Sequence, residues 1–317
     1  MDLREKFNRM FILGTTGGGY KTVKNLGGII FFTHDIQSKE QFAKLVSDIK
    51  SDLQPLFLSI DQEGGRVERT ENIHNGKKYL SAKFAFEKGE EFLKSQTQKI
   101  ADELKECGIN LNFAPCIDVN TNPLNPIIGE RSYSNNPDEV IKCGKIVSDI
   151  YKKNGIMPCL KHYPGHGDAS KDSHLTLPEI NLSLDEMKTV HIRPFKELAK
   201  NAQMIMVAHL NCKCFNLSNE NLPTSLNKKA IDYLRNDLGF RGITISDDMV
   251  MKGVSQFGPV EACVKGINAG LNMFIYRNSD FETMNTLEKV FEHAKSDLKL
   301  RKRIEESYEI ISCYAEF

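Results

Sequence analysis

The chain has 317 residues, 40% of them apolar, and its 42 basic side chains balance 42 acidic ones. A chain of this length can bury a sizeable core as one large α/β domain or two medium ones. Its charge balance leaves no electrostatic footprint for nucleic acid or an anionic membrane surface, so a small substrate fits better than a polymeric or lipid partner.

Taken in chain order, short β-branched or apolar runs alternate with amphipathic stretches. Arg9 to Leu13 predicts a first strand, and the glycine-rich link to the second, Gly28 to Phe32, leaves room only for a stunted helix. Helical periodicity over 38 to 50 leads to a third strand, Leu56 to Ile60, and periodicity over 89 to 106 to a fourth, Asn110 to Phe113. Asn136-Pro137-Asp138-Glu139 is an N-cap with proline at N1; Val140, Gly144, Val147 and Tyr151 then share one face, and Asn154-Gly155 stops the helix. A fifth strand, Met157 to Leu160, precedes a capping box at Ser183 to Glu186, whose helix Pro194 must break or restart. The remaining strands are Met204 to Ala208, Gly242 to Ile245 and Leu271 to Ile275, with helical stretches over 227 to 238, 258 to 268 and 280 to 316. Eight such units with no linker between them predict an α/β fold, a single-domain (β/α)8 barrel over residues 1 to 317, with an open doubly wound sheet as the alternative.

The barrel reading requires polar, turn-forming motifs after the strands. They are present: Asp61 to Arg66 after the third, Ala114-Pro115 and Asp118 after the fourth, His209 after the sixth, Ser246-Asp247-Asp248 after the seventh, and Tyr276-Arg277 after the eighth. After the fifth comes Lys161 to Pro178, which holds three of the eight histidines together with Asp168 and Asp172, stiffened by glycine and proline. A loop so rich in ionisable groups is poor core material and is read as functional. Motifs at successive strand ends converge on one face and predict a single pocket. A carboxylate fixed at a strand end can serve as a nucleophile, and a second ionisable group can act first as acid and then as base. Asp247 or Asp248 suits the first role; alternation along a strand lets only one of them face the pocket.

The segments Lys161 to Pro178, Ile60 to Arg69 and Ser246 to Gly253, with further blocks at Ala114 to Ser132 and Leu234 to Phe240, resemble the NagZ-type β-N-acetylglucosaminidases (β-N-acetylhexosaminidases) of glycoside hydrolase family 3. The resemblance implies a single (β/α)8 domain acting in the cytoplasm. It also implies release of non-reducing N-acetylglucosamine from muropeptides during peptidoglycan recycling. It assigns the nucleophile to Asp247, with Asp248 in support, and the acid and base role to His174, oriented by Asp172. A histidine paired with a carboxylate can serve in both roles near pH 7. Asp61, Arg69, Arg131, Lys161 and His162 are assigned to the sugar subsite. Glu63 is expected to hydrogen-bond backbone, and His166 and Asp168 to brace the loop. His209 matches a strand-end histidine of the family, whereas Asn211 to Phe215 departs from its usual sequence.

Rival chemistries leave different signatures. A metal hydrolase could draw on His162, His166, Asp168, Asp172 and His174, but one irregular loop offers no helical i, i+4 ligand pair. Substrate-assisted cleavage needs an Asp-Glu pair at a strand end, and the pairs at 102/103, 138/139 and 185/186 fall in helical segments. A barrel reduced to sugar binding would be expected to lack Asp247, His174 or Asp172, and all three are present. Phosphorolysis stays open, since an uncharged histidine base does not repel phosphate. No metal and no organic cofactor is expected; Gly17-Gly18-Gly19 is not followed directly by the lysine and hydroxyl of a phosphate loop, since Tyr20 intervenes. The eight cysteines lack a C-x-x-C pair or a regular framework and are expected to be reduced thiols, Cys212 and Cys214 forming the one close pair. The apolar run Met10 to Leu13 is too short for a signal segment, and no stretch reaches the length of a membrane span.

Overall fold

A computed structural model describes residues 1–169, 177–217 and 220–314. Its strands are β1 (Phe11–Gly14), β2 (Gly28–Phe31), β3 (Phe57–Ile60), β4 (Leu111–Asn112), β5 (Met157–Tyr163), β6 (Glu179–Ile180), β7 (Met204–Val207), β8 (Asn211–Cys212), β9 (Ile243–Asp248) and β10 (Met273–Tyr276). Eight of them, in the order β1-β10-β9-β7-β5-β4-β3-β2, close into a barrel of parallel neighbours, and β6 pairs with β8 as a separate two-stranded sheet. Closure is visible at β1, where Ile12 registers with Gly28 on one side and with Ile275 on the other. Strands covered on both faces should be almost uniformly apolar, and Phe11 to Leu13, Ile29 to Phe31 and Met204 to Val207 are all buried. Two polar residues within the strands show how they are satisfied: Ser59 donates to the Ile29 carbonyl at 2.7 Å, and Asn112 exchanges two hydrogen bonds with the backbone of Gln62.

The helices are α1 (Leu3–Asn8), α2 (Lys39–Leu53), α3 (Ala82–Glu87), α4 (Glu90–Glu106), α5 (Pro137–Lys153), α6 (Leu184–Thr189), α7 (Arg193–Leu198), α8 (Lys228–Asn236), α9 (Lys252–Ser255), α10 (Pro259–Ala269), α11 (Phe281–Ser296) and α12 (Leu298–Ser312). In α5 the expected face of Val140, Gly144, Val147 and Tyr151 is buried, and Asn136 caps it by accepting from the Asp138 N–H. The link from β1 to β2 holds only a 3-10 turn, Gly19–Thr22, as its glycines imply. Pro194 restarts the chain as α7 after α6 has ended. The expected helix over 280 to 316 is instead two, because Asp297 leaves the helical conformation and its carboxylate accepts from the N–H groups of Lys299 and Leu300, capping α12. Among the described residues no helix is long and apolar enough to cross a membrane.

Two irregularities position the site. β5 continues through Tyr163 and β9 through Asp248, beyond the expected ends at Leu160 and Ile245. In both, the register with a neighbour slips: Leu160 and Tyr163 oppose Ile205 and Val207, while Ile245 and Asp248 oppose Met273 and Ile275. Each slip is a bulge that places an extra residue on one strand and breaks strict alternation. It falls at Lys161-His162 in β5 and at Ser246-Asp247 in β9.

Candidate active site

Because of the bulges, adjacent residues of one strand reach the same cavity. A cavity of about 350 Å³ at the C-terminal ends of the strands is lined by Asp61, Arg69, Arg131, Lys161, His162 and Asp247, over apolar walls that include Phe32, Phe113 and Met206. Asp248 also reaches it, contrary to the expectation that only one of the two aspartates could. All six described residues expected at the site are therefore together. Asp172 and His174 lie outside the described residues.

At one wall two cations share two carboxylates. Lys161 Nζ lies 2.5 Å from Asp61 Oδ1 and also contacts Glu63 Oε1. Arg131 holds Glu63 in a two-pronged contact, Nε to Oε2 at 2.9 Å and Nη2 to Oε1 at 2.7 Å. Glu63 thus bridges Lys161 and Arg131 instead of hydrogen-bonding backbone, the expectation from its place in a glycine turn. Burial would raise the Glu63 carboxyl, but Arg131 and Lys161 outweigh it and hold it far below the usual carboxylate range. Gln62 accepts the Arg69 N–H at 2.8 Å and folds the segment back, so that the Arg69 guanidinium stands 3.9 Å from Asp61. Removing one carboxylate of a buried pair leaves charge uncompensated, so Glu63→Gln is expected to lower the unfolding free energy by about 3–5 kcal/mol. Urea titration reads this directly, and a loss below ~1 kcal/mol would show that the bridge contributes little.

Behind this wall Asp118, fully buried, gathers four donors. Its Oδ2 accepts from His162 Nδ1 at 2.6 Å, from the His162 N–H at 3.2 Å and from the Cys116 thiol at 3.2 Å, and its Oδ1 accepts the His166 N–H at 2.6 Å. Burial opposes ionisation here, yet His162 and His166 outweigh it and the carboxyl stays well below its ordinary value. Arginine can only donate, and Arg131 Nη2 lies 3.2 Å from His162 Nε2. Nε2 therefore accepts, and Nδ1 carries the proton given to Asp118. The loop after β5 is held on the loop after β4 as well: a Cβ at Gly167 would stand 1.7 Å from the Val119 carbonyl oxygen, so only glycine fits.

His166 braces this region through its backbone, since Asn125 also donates to its carbonyl at 2.8 Å. Its ring borders the cavity, and neither ring nitrogen has a partner among the described residues. Burial pushes the imidazole down to about 4. In the unfolded chain it titrates near 6.5, so between those values the unfolded state binds more protons and stability rises with pH. Its contribution is complete above pH ~6.5 and is lost toward pH 4, amounting to about 3 kcal/mol. Buried His191 and His209 are pushed down too and act in the same sense. Urea titrations at pH 7 and 4.5 are expected to show this loss, reduced in His166→Gln; equal stabilities at the two pH values would contradict it.

On the opposite wall the two aspartates differ. Asp248 is paired with Arg277 Nε, and its Oδ1 accepts the N–H groups of Val250 and Arg277 at 3.1 and 3.2 Å. Asp247 has no ion pair among the described residues and accepts only the Asp248 N–H, at 2.7 Å. Burial would raise the Asp247 carboxyl, but His162, His209, that N–H and Lys161 together leave it below its ordinary value, hence ionised at neutral pH. His209 is buried against Ser225, with Nδ1 2.7 Å from the hydroxyl.

The described histidines and aspartate of the rival metal set, His162, His166 and Asp168, do not converge. The one described group with donor atoms within 4.8 Å of each other is Cys116, Asp118 and His162. Those donors are hydrogen-bonded to one another, and burial keeps the Cys116 thiol protonated. The sequence placed Asp118 after a strand without giving it a role, and the bridging role of Glu63 was not foreseen. For Asp118 the signal available was a carboxylate following a strand with no lysine or arginine within a helical turn to partner it.

Fold and cavity together define a (β/α)8 barrel whose carboxylates, cations and imidazoles meet where the active sites of this architecture sit. The chain belongs to the family described as the glycosyl hydrolase family 3 N terminal domain, which matches residues 21–311. It is 35% identical over 271 residues to beta-hexosaminidase A of Pseudoalteromonas piscicida, covering 78% of this chain and 45% of that protein. It is 32% identical over 265 residues to a beta-hexosaminidase of Neisseria gonorrhoeae, covering 80% and 72%. Among solved structures it resembles a glycoside hydrolase family 3 beta-N-acetylglucosaminidase from Paenibacillus sp. with a TM-score of 0.87 at 28% identity, covering 99% of this chain and 63% of that one. The chain thus spans less than half of the Pseudoalteromonas relative and about two thirds of the Paenibacillus structure.

Proposed function

We propose that this barrel, residues 1 to 317 acting as one catalytic domain, is a retaining β-N-acetylglucosaminidase. The observation that carries the reading is Asp247, an ionised carboxylate on the cavity wall with no cation partner among the described residues. An unpaired carboxylate keeps its lone pairs for an electrophile, whereas Asp248 is held by Arg277. In the proposed reaction Asp247 attacks the anomeric carbon while His174, oriented by Asp172, gives its proton to the departing glycosidic oxygen. His174 then takes a proton from water, which attacks the same carbon, breaks the bond to Asp247 and releases the β-sugar. Asp61 accepts from sugar hydroxyls; Lys161, Arg69 and Arg131 donate; His162 is held by Asp118. The hexosaminidase names of the relatives support the N-acetylglucosaminide as substrate.

The natural substrate we assign is a cell-wall fragment, an N-acetylglucosaminyl muropeptide, cleaved in the cytoplasm as part of peptidoglycan recycling without metal or cofactor. Eight free thiols support a reducing compartment. The test is incubation with 4-nitrophenyl N-acetyl-β-D-glucosaminide, with and without phosphate, following products by NMR. Release of β-configured N-acetylglucosamine in either buffer is expected. A sugar phosphate formed only with phosphate would replace the hydrolase reading by phosphorolysis, and absence of turnover would remove both.

A further inference from the structure

The Cys212 and Cys214 pair is the sequence feature that neither the barrel nor the cavity accounts for. Cys212 ends β8 in extended backbone, and the 3-10 turn Lys213–Phe215 follows. The two side chains fall on one side, with their Sγ atoms 3.2 Å apart. A disulfide bond is about 2.05 Å long, so a closure of roughly 1 Å separates this dithiol from a covalent link. Every one of the eight cysteines is described, and no other pair of sulfurs comes within hydrogen-bonding distance.

The two thiols are not equivalent. Cys212 is 1% exposed, whereas Cys214 is only partly covered. The hydrogen bond shared with Cys212 lowers the Cys214 thiol, against burial and with help from the charge of Lys188, while the same bond and burial raise Cys212. A partly exposed sulfur backed by a buried one is the arrangement of an attacking and a resolving thiol. The pair also has a structural lever. Glu179 and Ile180 of β6 register with Asn211 and Cys212 of β8, the Asn211 N–H donates to the Pro178 carbonyl at 2.8 Å, and Lys213 lies 3.3 Å from Glu179. Pro178 and β6 follow closely in sequence on the segment that carries Asp172 and His174.

We propose that Cys212 and Cys214 form a redox-active dithiol that closes to an intrachain disulfide and slows catalysis through the β6–β8 pair. The oxidant is a low-molecular-weight disulfide. Cys214 thiolate attacks one of its sulfurs, forming a mixed disulfide and expelling one thiolate, which takes up the proton Cys214 lost. Cys212 then loses its proton and attacks the Cys214 sulfur, expelling the second thiol. Two protein thiols are oxidised and one external disulfide is reduced to two thiols.

The test exposes the whole protein to oxidised glutathione, denatures it and alkylates with N-ethylmaleimide. Two fewer than the eight thiols are expected to react, a peptide holding both Cys212 and Cys214 should carry the disulfide, and turnover should fall severalfold and return with dithiothreitol. Cys214→Ser should neither form the disulfide nor lose turnover, and Cys212→Ser should stall as a glutathione adduct on Cys214. Should that variant fail to fold, the wild-type thiol count decides alone, and it does so whatever glycoside the barrel cleaves. Eight reactive thiols after oxidation, or an adduct confined to the exposed Cys313, would overturn the site. A disulfide at full turnover would overturn its link to catalysis.

Discussion

Asp247→Asn is expected to cut kcat on the order of 10⁴-fold or more, because the amide keeps the shape of the side chain and loses the nucleophile. Stability should barely move. The amide oxygen can still accept the Asp248 N–H at 2.7 Å, and Asp247 has no ion pair among the described residues to lose. Asp248→Asn should behave the other way, since it breaks the contact with Arg277 and leaves the attacking carboxylate in place. Its turnover should fall less and its stability more. A second readout follows from stereochemistry: in Asp247→Ala, azide can occupy the vacated face and attack the anomeric carbon, giving an α-configured glycosyl azide. Initial rates with 4-nitrophenyl N-acetyl-β-D-glucosaminide and NMR of the azide product measure both. If Asp247→Asn retained a tenth of wild-type turnover, the covalent mechanism on this residue would be wrong.

Asp118→Asn is expected to damage the site from behind. All four groups around this carboxylate are donors, two backbone N–H groups, one imidazole N–H and one thiol. An amide has one accepting oxygen, so in either orientation its NH₂ faces a donor at a buried position. The expected loss of stability is about 3 kcal/mol, the cost of unsatisfied buried donors beside a removed charge. His162 loses the acceptor that fixes its tautomer, and such orienting partners are typically worth about 10–100-fold in activity. Since His162 stands at the proposed sugar subsite and not at the reacting bond, the loss should fall more on KM than on kcat. Kinetics at a temperature where the variant stays folded separate this from simple unfolding. An unchanged KM would mean that Asp118 serves the fold alone.

Most of the architecture was readable along the chain because its signals are local. Apolar runs mark strands covered on both faces, and Asn136, Ser183 and Pro194 mark helix ends through their own backbone chemistry. Asp297 was equally local, yet the periodicity continuing on both sides masked it. The strand ends were not readable, because β5 and β9 are prolonged through bulges by pairing with neighbours distant in sequence.

The sequence by itself determined the number and order of the βα units and placed Asp61, Lys161, His162 and Asp247 near strand ends, since apolar patterning and turn chemistry act over a few residues. Only the tertiary structure decided which charges are paired. Glu63 meets Arg131 across 68 positions and Lys161 meets Asp61 across 100, and pairing depends on separation in space and on burial. That same arithmetic ties Asp248 to Arg277 and leaves Asp247 without a cation among the described residues, a difference that two adjacent aspartates cannot express in sequence.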